Sequence, residues 1–145
     1  MKKILTILAC LVLGLGAMSA RSRVVRDSKI LPQKAQTMLR TNFPKAKVNH
    51  IKLETKSLGR DEYDVILNDG TEVEFDHDGD WKEVDCGAKA VPSGLVLPAI
   101  GKYVKANYPS ASIVGIEIDR HSYEVKLDNG TDLKFGRDGR FIKID

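Results

Sequence analysis

The sequence has 145 residues, of which 42% are apolar and 30% are charged, a balance typical of a folded globular protein and not of a disordered one. The formal net charge is +3 at pH 7, and it falls to about +1 if the two lysines near the N-terminus are removed by processing. A nearly neutral chain lacks the basic surface that phosphate binding requires, so we expect no nucleic-acid partner.

Residues 1–20 have the composition of a secretory signal peptide. Two lysines precede an apolar run over residues 4–17, and small residues at positions 19 and 20 suit cleavage. One alternative is a membrane anchor, although the run is shorter than the roughly 20 residues that span a bilayer. Another is lipoprotein processing at Cys10. We predict a periplasmic or secreted protein with no stable membrane span after signal cleavage.

Residues 21–30 are rich in arginine and lysine and are predicted to be a flexible basic segment. After cleavage Cys86 is the only cysteine left, which excludes an internal disulfide. We expect Cys86 to be a buried thiol, and a mixed disulfide with another molecule is the alternative.

The rest of the chain is predicted to contain one unit twice, at residues 31–86 and 97–145, joined by a connector at 87–96. Both copies contain a Leu-Pro pair, an Asn-aromatic-Pro triplet, a Tyr-x-Val-x-Leu stretch, a Gly-Thr pair and an Asp-Gly pair, in the same order. So many matches in the same order within one short chain indicate an internal repeat.

Each copy is predicted to be a helix followed by four antiparallel strands. Pro32 and Pro98 suit the first helical position, and Pro44 and Pro109 end the helices about three turns later. The expected fold class is therefore α+β, a tandem repeat of this unit with both helices packed on one face. We expect two four-stranded sheets that lie side by side or are nearly continuous.

Loop length decides which side chains share a face of the sheet. With a three-residue loop at 68–70, Val65 pairs with Val73 and Tyr63 pairs with Phe75, so all four face the core. The second copy predicts the same register.

The last hairpin of each copy is predicted to have a two-residue turn, at 78–79 and at 138–139. This register puts Trp81 and Phe141 on the face opposite the core. The alternative is a β-bulge that turns both aromatic side chains inward. Outward aromatic side chains would be contact residues, because aromatic residues dominate the hot spots of interfaces.

The outward face is the predicted protein-binding surface. Besides the two aromatic residues, it is expected to hold charged side chains and one isoleucine: Asp64, Ile66, Glu72, Glu74, Lys126 and Lys134.

Asp76, Asp78 and Asp80 are candidate ligands for Ca²⁺, because alternate aspartates offer hard oxygen ligands. Their spacing departs from the EF-hand loop, and the turn preference of Asp78-Gly79 explains the same residues without a metal. No other cofactor is expected. The three histidines are scattered and Cys86 has no adjacent base, so no catalytic residues are predicted and the chain is not expected to be an enzyme.

These repeated motifs resemble the secreted PepSY-like family, which is also described as beta-lactamase-inhibitor-like. The resemblance covers nearly the whole chain after residue 20. It implies tandem α/β units that grip an enzyme with a concave sheet, and a role in restraining peptidases. The sequence therefore predicts a non-catalytic, protein-binding module, an inhibitor or regulator of an envelope peptidase or other enzyme. The alternative is a calcium-binding or calcium-regulated periplasmic protein.

Overall fold

The computed structural model describes residues 21–145, so the predicted signal peptide lies outside the described residues. Two α-helices and nine strands follow one another in this order: β1 Arg21–Val25, α1 Gln33–Asn42, β2 Val48–Thr55, β3 Asp61–Leu67, β4 Glu72–Phe75, β5 Trp81–Asp85, α2 Pro98–Asn107, β6 Ile113–Ile118, β7 Ser122–Leu127, β8 Asp132–Gly136 and β9 Phe141–Ile144. Within this part of the chain no helix is both long enough and apolar enough to cross a membrane.

The nine strands form one antiparallel sheet in chain order, from β1 at one edge to β9 at the other. The predicted fold class, an α+β tandem repeat of a helix followed by four antiparallel strands, is therefore wrong. The structure is mostly β, with two ten-residue helices on a single sheet. The sheet is continuous because β5 pairs with β6, which satisfies the backbone groups that two separate sheets would leave at their edges.

Strand β1 lies in the segment 21–30 that the sequence suggested is flexible. It pairs with β2 from Arg21 opposite Thr55 to Val25 opposite Ile51. Its side chains are almost all exposed. Backbone hydrogen bonds to the edge of β2 hold this strand in place. Because its side chains are not buried, the sequence lacks the alternating apolar pattern that predicts a strand.

Both helices pack on one face of the sheet, where the core lies. Four helix residues share this core with apolar side chains from the strands, and the fully buried members include Ala35, Ile51, Val65, Val73, Phe75, Val84, Val125, Leu127, Leu133 and Phe135. Burying a valine, leucine or phenylalanine side chain contributes roughly 1.5–3 kcal/mol, so this cluster supplies most of the stability.

The first hairpin of each half has the predicted register. Val65 lies opposite Val73 and Tyr63 opposite Phe75. The hairpin from β7 to β8 has the equivalent pairs. Gly70 has φ of 90°, as a glycine in the left-handed position of the three-residue loop requires.

The last hairpin differs from the predicted register. Phe75 pairs with Trp81, whereas Glu74 pairs with Glu83, so Lys82 is the extra residue of a β-bulge. The turn is one residue longer than predicted, and the bulge restores the pairing of Val73 with Val84.

The same bulge follows the last turn of the chain, where Phe135 pairs with Phe141. The Phe141 ring stacks on Tyr103 of α2, with ring centroids 4.5 Å apart. Trp81 is half-buried against the core cluster. The outward orientation of these two aromatic residues is therefore wrong, and the bulge alternative is correct. Aromatic packing against the helix side stabilises the bulged register.

Candidate functional site

The face of the sheet opposite the helices, here called the open face, carries the candidate site. Six of the eight side chains predicted for the binding surface lie on it, because they alternate with core residues along their strands: Asp64, Ile66, Glu72, Glu74, Lys126 and Lys134. All six are half-buried. The two aromatic residues predicted to join them lie on the helix side instead.

Five carboxylate side chains form a line across the middle of the open face, one from each of the strands β3 to β7. They are Asp64, Glu74, Glu83, Glu117 and Glu124, and each lies directly opposite the next in the sheet register. We call these five residues the acidic row. Lys52 lies opposite Asp64 at one end, and Lys134 lies opposite Glu124 at the other.

The acidic row is electrostatically costly, because directly opposite residues in a sheet are close enough for like charges to repel. Burial, followed by the charge of Glu72, raises the pKa of Asp64 to about 6. Burial also raises the pKa of Glu74, with a further contribution from Glu62. For Glu83, burial and the charge of Glu117 raise the pKa to about 8. The row therefore favours protons or cations near its centre.

Glu83 is the most constrained member of the row. Its side chain is 7% exposed, and within residues 21–145 its Oε1 atom accepts no hydrogen bond. It lines a cleft of about 300 Å³ together with Glu74, Glu117 and Asp119. A buried carboxylate oxygen without a partner is energetically unfavourable, which marks this cleft as a place for a positively charged ligand.

The predicted binding surface contained Asp64 and Glu74 of the acidic row but not Glu83, Glu117 or Glu124. Glu83 could have been found, because it is two residues after Trp81 and the predicted register already placed it opposite Glu74. Glu117 depends on the pairing of β5 with β6, which local alternation does not predict.

The aspartates predicted to bind calcium lie in or beside the turn between β4 and β5, and most of their contacts stabilise that turn. Oδ1 of Asp76 accepts hydrogen bonds from the backbone N–H groups of Asp78 and Asp80, each at 3.0 Å. Its Oδ2 lies 3.4 Å from Nζ of Lys82, and Asp80 forms an ion pair with Lys34. These contacts support the turn interpretation of the motif.

Two groups of three side chains have ligand atoms close enough to share a metal ion among the described residues. One is Asp76, His77 and Asp78 in the turn. The other is Glu117, Asp119 and Glu124, where the acidic row meets the β6–β7 hairpin.

Cys86 is buried and has the chemistry of a structural thiol. Burial raises its pKa to about 11, and the Thr71 hydroxyl only partly offsets this shift. The thiolate is the nucleophilic form, so Cys86 is a poor nucleophile at neutral pH.

The family model described as "Putative beta-lactamase-inhibitor-like, PepSY-like" matches residues 17–57 and 61–143 of the chain. The chain belongs to the PepSY-like family. Solved structures agree with this assignment. A putative periplasmic protein of unknown function from Bacteroides vulgatus ATCC 8482 is 42% identical, with a TM-score of 0.82, and the match covers 86% of this PepSY-like chain and 99% of that one.

Two further solved structures are similar to this PepSY-like protein. A second putative periplasmic protein from Bacteroides vulgatus ATCC 8482 is 45% identical, with a TM-score of 0.80 and coverage of 90% of this chain and 99% of that one. A putative calcium-regulated periplasmic protein from Bacteroides thetaiotaomicron is 41% identical, with a TM-score of 0.80 and coverage of 86% and 96%. No curated protein matches the chain. The predicted periplasmic localisation of this PepSY-like protein is confirmed.

Proposed function

We propose that this PepSY-like protein is a non-catalytic periplasmic binding module that recognises a protein of the cell envelope through its open face. One observation carries the proposal: both helices pack on one side of a nine-stranded sheet, and the other side presents the acidic row. An envelope enzyme, such as a peptidase, is the partner class that the family resemblance suggests.

The charge of the open face favours a partner that presents lysine or arginine side chains. The acidic row occupies the centre of the face. Ile66 and Glu72 form a second pair beside the row, on strands β3 and β4. Opposite charges steer association and select partners, and the attraction weakens as salt screens it.

A pull-down from an envelope extract, with the exported protein as bait, tests the proposal. We expect Glu72→Lys to reduce recovery of the partner about tenfold, because it reverses a charge on the open face. Lys102→Glu is the matched control, since it changes the charge by the same magnitude on an exposed position of α2. Equal recovery by wild type and Glu72→Lys, or a loss with Lys102→Glu alone, would place the binding surface elsewhere.

A calcium-binding or calcium-regulated role is the second candidate function. The acidic row favours it, because carboxylate oxygens are the preferred ligands of Ca²⁺. The description of the Bacteroides thetaiotaomicron protein as calcium-regulated is consistent with this role.

A further inference from the structure

We propose that Glu117, Asp119 and Glu124 form a Ca²⁺ site on the open face, with Glu83 as a fourth carboxylate beside Glu117. The inference deepens the second candidate function by naming its site, and it does not depend on the protein partner. The site differs from the aspartates of the β4–β5 turn that the sequence pointed to.

The spacing of the three carboxylates suits a calcium ion. One oxygen from each of Glu117, Asp119 and Glu124 lies within 4.8 Å of the others. Oxygen ligands lie about 2.3–2.6 Å from Ca²⁺, so two of them on opposite sides of one ion are separated by roughly 4.6–5.2 Å. The three oxygens are therefore close enough together to share one calcium ion.

The sheet register explains why these three side chains meet. Glu117 on β6 lies directly opposite Glu124 on β7. Asp119 directly follows the end of β6, where its carboxylate comes close to those of Glu117 and Glu124. The backbone N–H of Asp119 donates to the carbonyl of Ser122 at 2.8 Å, which fixes the hairpin between the strands.

Glu83 is the second, independent observation that points to a cation. It lies directly opposite Glu117 on the next strand and lines the same cleft as Glu117 and Asp119. It is 7% exposed, and its Oε1 has no hydrogen-bond partner among the described residues. A divalent cation at this position would compensate both the repulsion from Glu117 and the lost hydration of Glu83.

Lys82 and Arg137, which line the surface beside Asp119, also make contacts outside the proposed site. Lys82 lies 3.4 Å from Oδ2 of Asp76. The guanidinium of Arg137 lies 4.8 Å from the centre of the Tyr123 ring and donates to the backbone carbonyl of Asp119 at 3.2 Å. Asp119 itself is exposed, so water can complete the six to eight oxygen ligands that Ca²⁺ takes.

Calorimetric titration of the chelator-treated exported protein with CaCl₂ tests the site, with thermal unfolding as a second readout. We expect wild type to bind Ca²⁺ with Kd below about 1 mM and to unfold at a higher temperature when Ca²⁺ is present. Mg²⁺ should bind more weakly, because it demands a regular octahedral shell that side chains fixed on strands do not supply.

Four variants locate the ion. Glu83→Gln and Asp119→Asn should weaken Ca²⁺ binding about tenfold or more. Asp119 is exposed, so its variant gives an answer even if the change at buried Glu83 impairs folding. Asp132→Asn, opposite Lys126 on the same face but outside the row, and Asp78→Asn, in the β4–β5 turn, should bind as wild type does.

The possible results distinguish failure of the proposed Ca²⁺ site from failure of the calcium-binding function. If wild type gives no heat and no thermal shift with millimolar Ca²⁺, both the site and the second candidate function are refuted. If wild type binds Ca²⁺ and only Asp78→Asn loses it, the calcium function stands and the acidic-row site is refuted. Loss in Glu83→Gln and Asp119→Asn alone supports both.

Discussion

Glu83 on β5 lies directly opposite Glu117 on β6, at the junction where the two halves of the sheet meet. The junction has three residue pairs, and the other two are Val84 with Ile116 and Asp85 with Gly115. The pairing that makes the sheet continuous therefore also places two carboxylates side by side at the centre of the open face. Fold and candidate site have the same structural origin.

We predict that the protein loses stability as the pH rises from about 5 to 8 in the presence of a chelator. The pKa of Glu83 rises from 4.5 to about 8 on folding, so the folded state binds this proton more tightly than the unfolded chain. The contribution of this proton to the free energy of unfolding is complete below pH 4.5 and is lost as the pH approaches 8. Asp64, with a pKa of about 6, acts in the same direction. Thermal unfolding should show a melting temperature lower by about 5 °C at pH 8.

Glu83→Gln provides the control for this pH dependence. Glutamine keeps the shape and removes the charge, so the variant should be more stable than wild type at pH 8 and similar to it at pH 5. If the variant is instead less stable than wild type at pH 8 without added metal, the prediction is wrong. The charged form of Glu83 would then be stabilised by its neighbours in the folded protein.

We predict that Gly79→Ala destabilises the protein more than Gly70→Ala does. Both glycines have positive φ, 86° and 90°, so alanine is strained at either position. An added Cβ at Gly79 would lie 2.8 Å from Cβ of Pro32, whereas nothing lies within 4 Å of one at Gly70. Urea unfolding should show a loss of about 1 kcal/mol for Gly70→Ala and about 2–4 kcal/mol for Gly79→Ala. Equal losses of unfolding free energy in the two variants would mean that the turn at Gly79 is not closely packed against the start of α1.

Phe141→Ala is expected to lower stability rather than partner binding. The ring stacks on Tyr103 and makes an edge contact with Phe135, although it is 37% exposed. Urea unfolding should show a loss of about 1–3 kcal/mol. Ile142→Ala is the matched control on the same strand, and we expect a smaller loss because Ile142 is 54% exposed. A folded, fully stable Phe141→Ala that fails to capture the partner would restore Phe141 as a contact residue.

Cys86 should react slowly with a thiol reagent in the folded protein. Burial both shields the sulfur and raises its pKa to about 11, so little thiolate exists at pH 7.5. Labelling with a chromogenic disulfide should be fast only in urea. Fast labelling of the native protein would instead support the mixed disulfide alternative.

Much of the local register could be predicted from the sequence, because it follows from alternation and loop length. The three-residue loop at 68–70 correctly paired Val65 with Val73, and this pairing placed Asp64 and Glu74 side by side on the open face. The last hairpins could not be predicted in the same way. A bulge leaves one residue of the strand unpaired, and here this cost is offset because Trp81 and Phe141 pack on the helix side.

The sequence by itself determined the alternating strands, the two helices between prolines and the separation of carboxylates from core residues, since each depends on neighbours along the chain. Tertiary structure alone decided that β5 pairs with β6, that β1 adds to the β2 edge and that five carboxylates line up across the sheet. These features depend on contacts between distant segments, where hydrogen bonds at strand edges and apolar burial outweigh the repulsion within the acidic row.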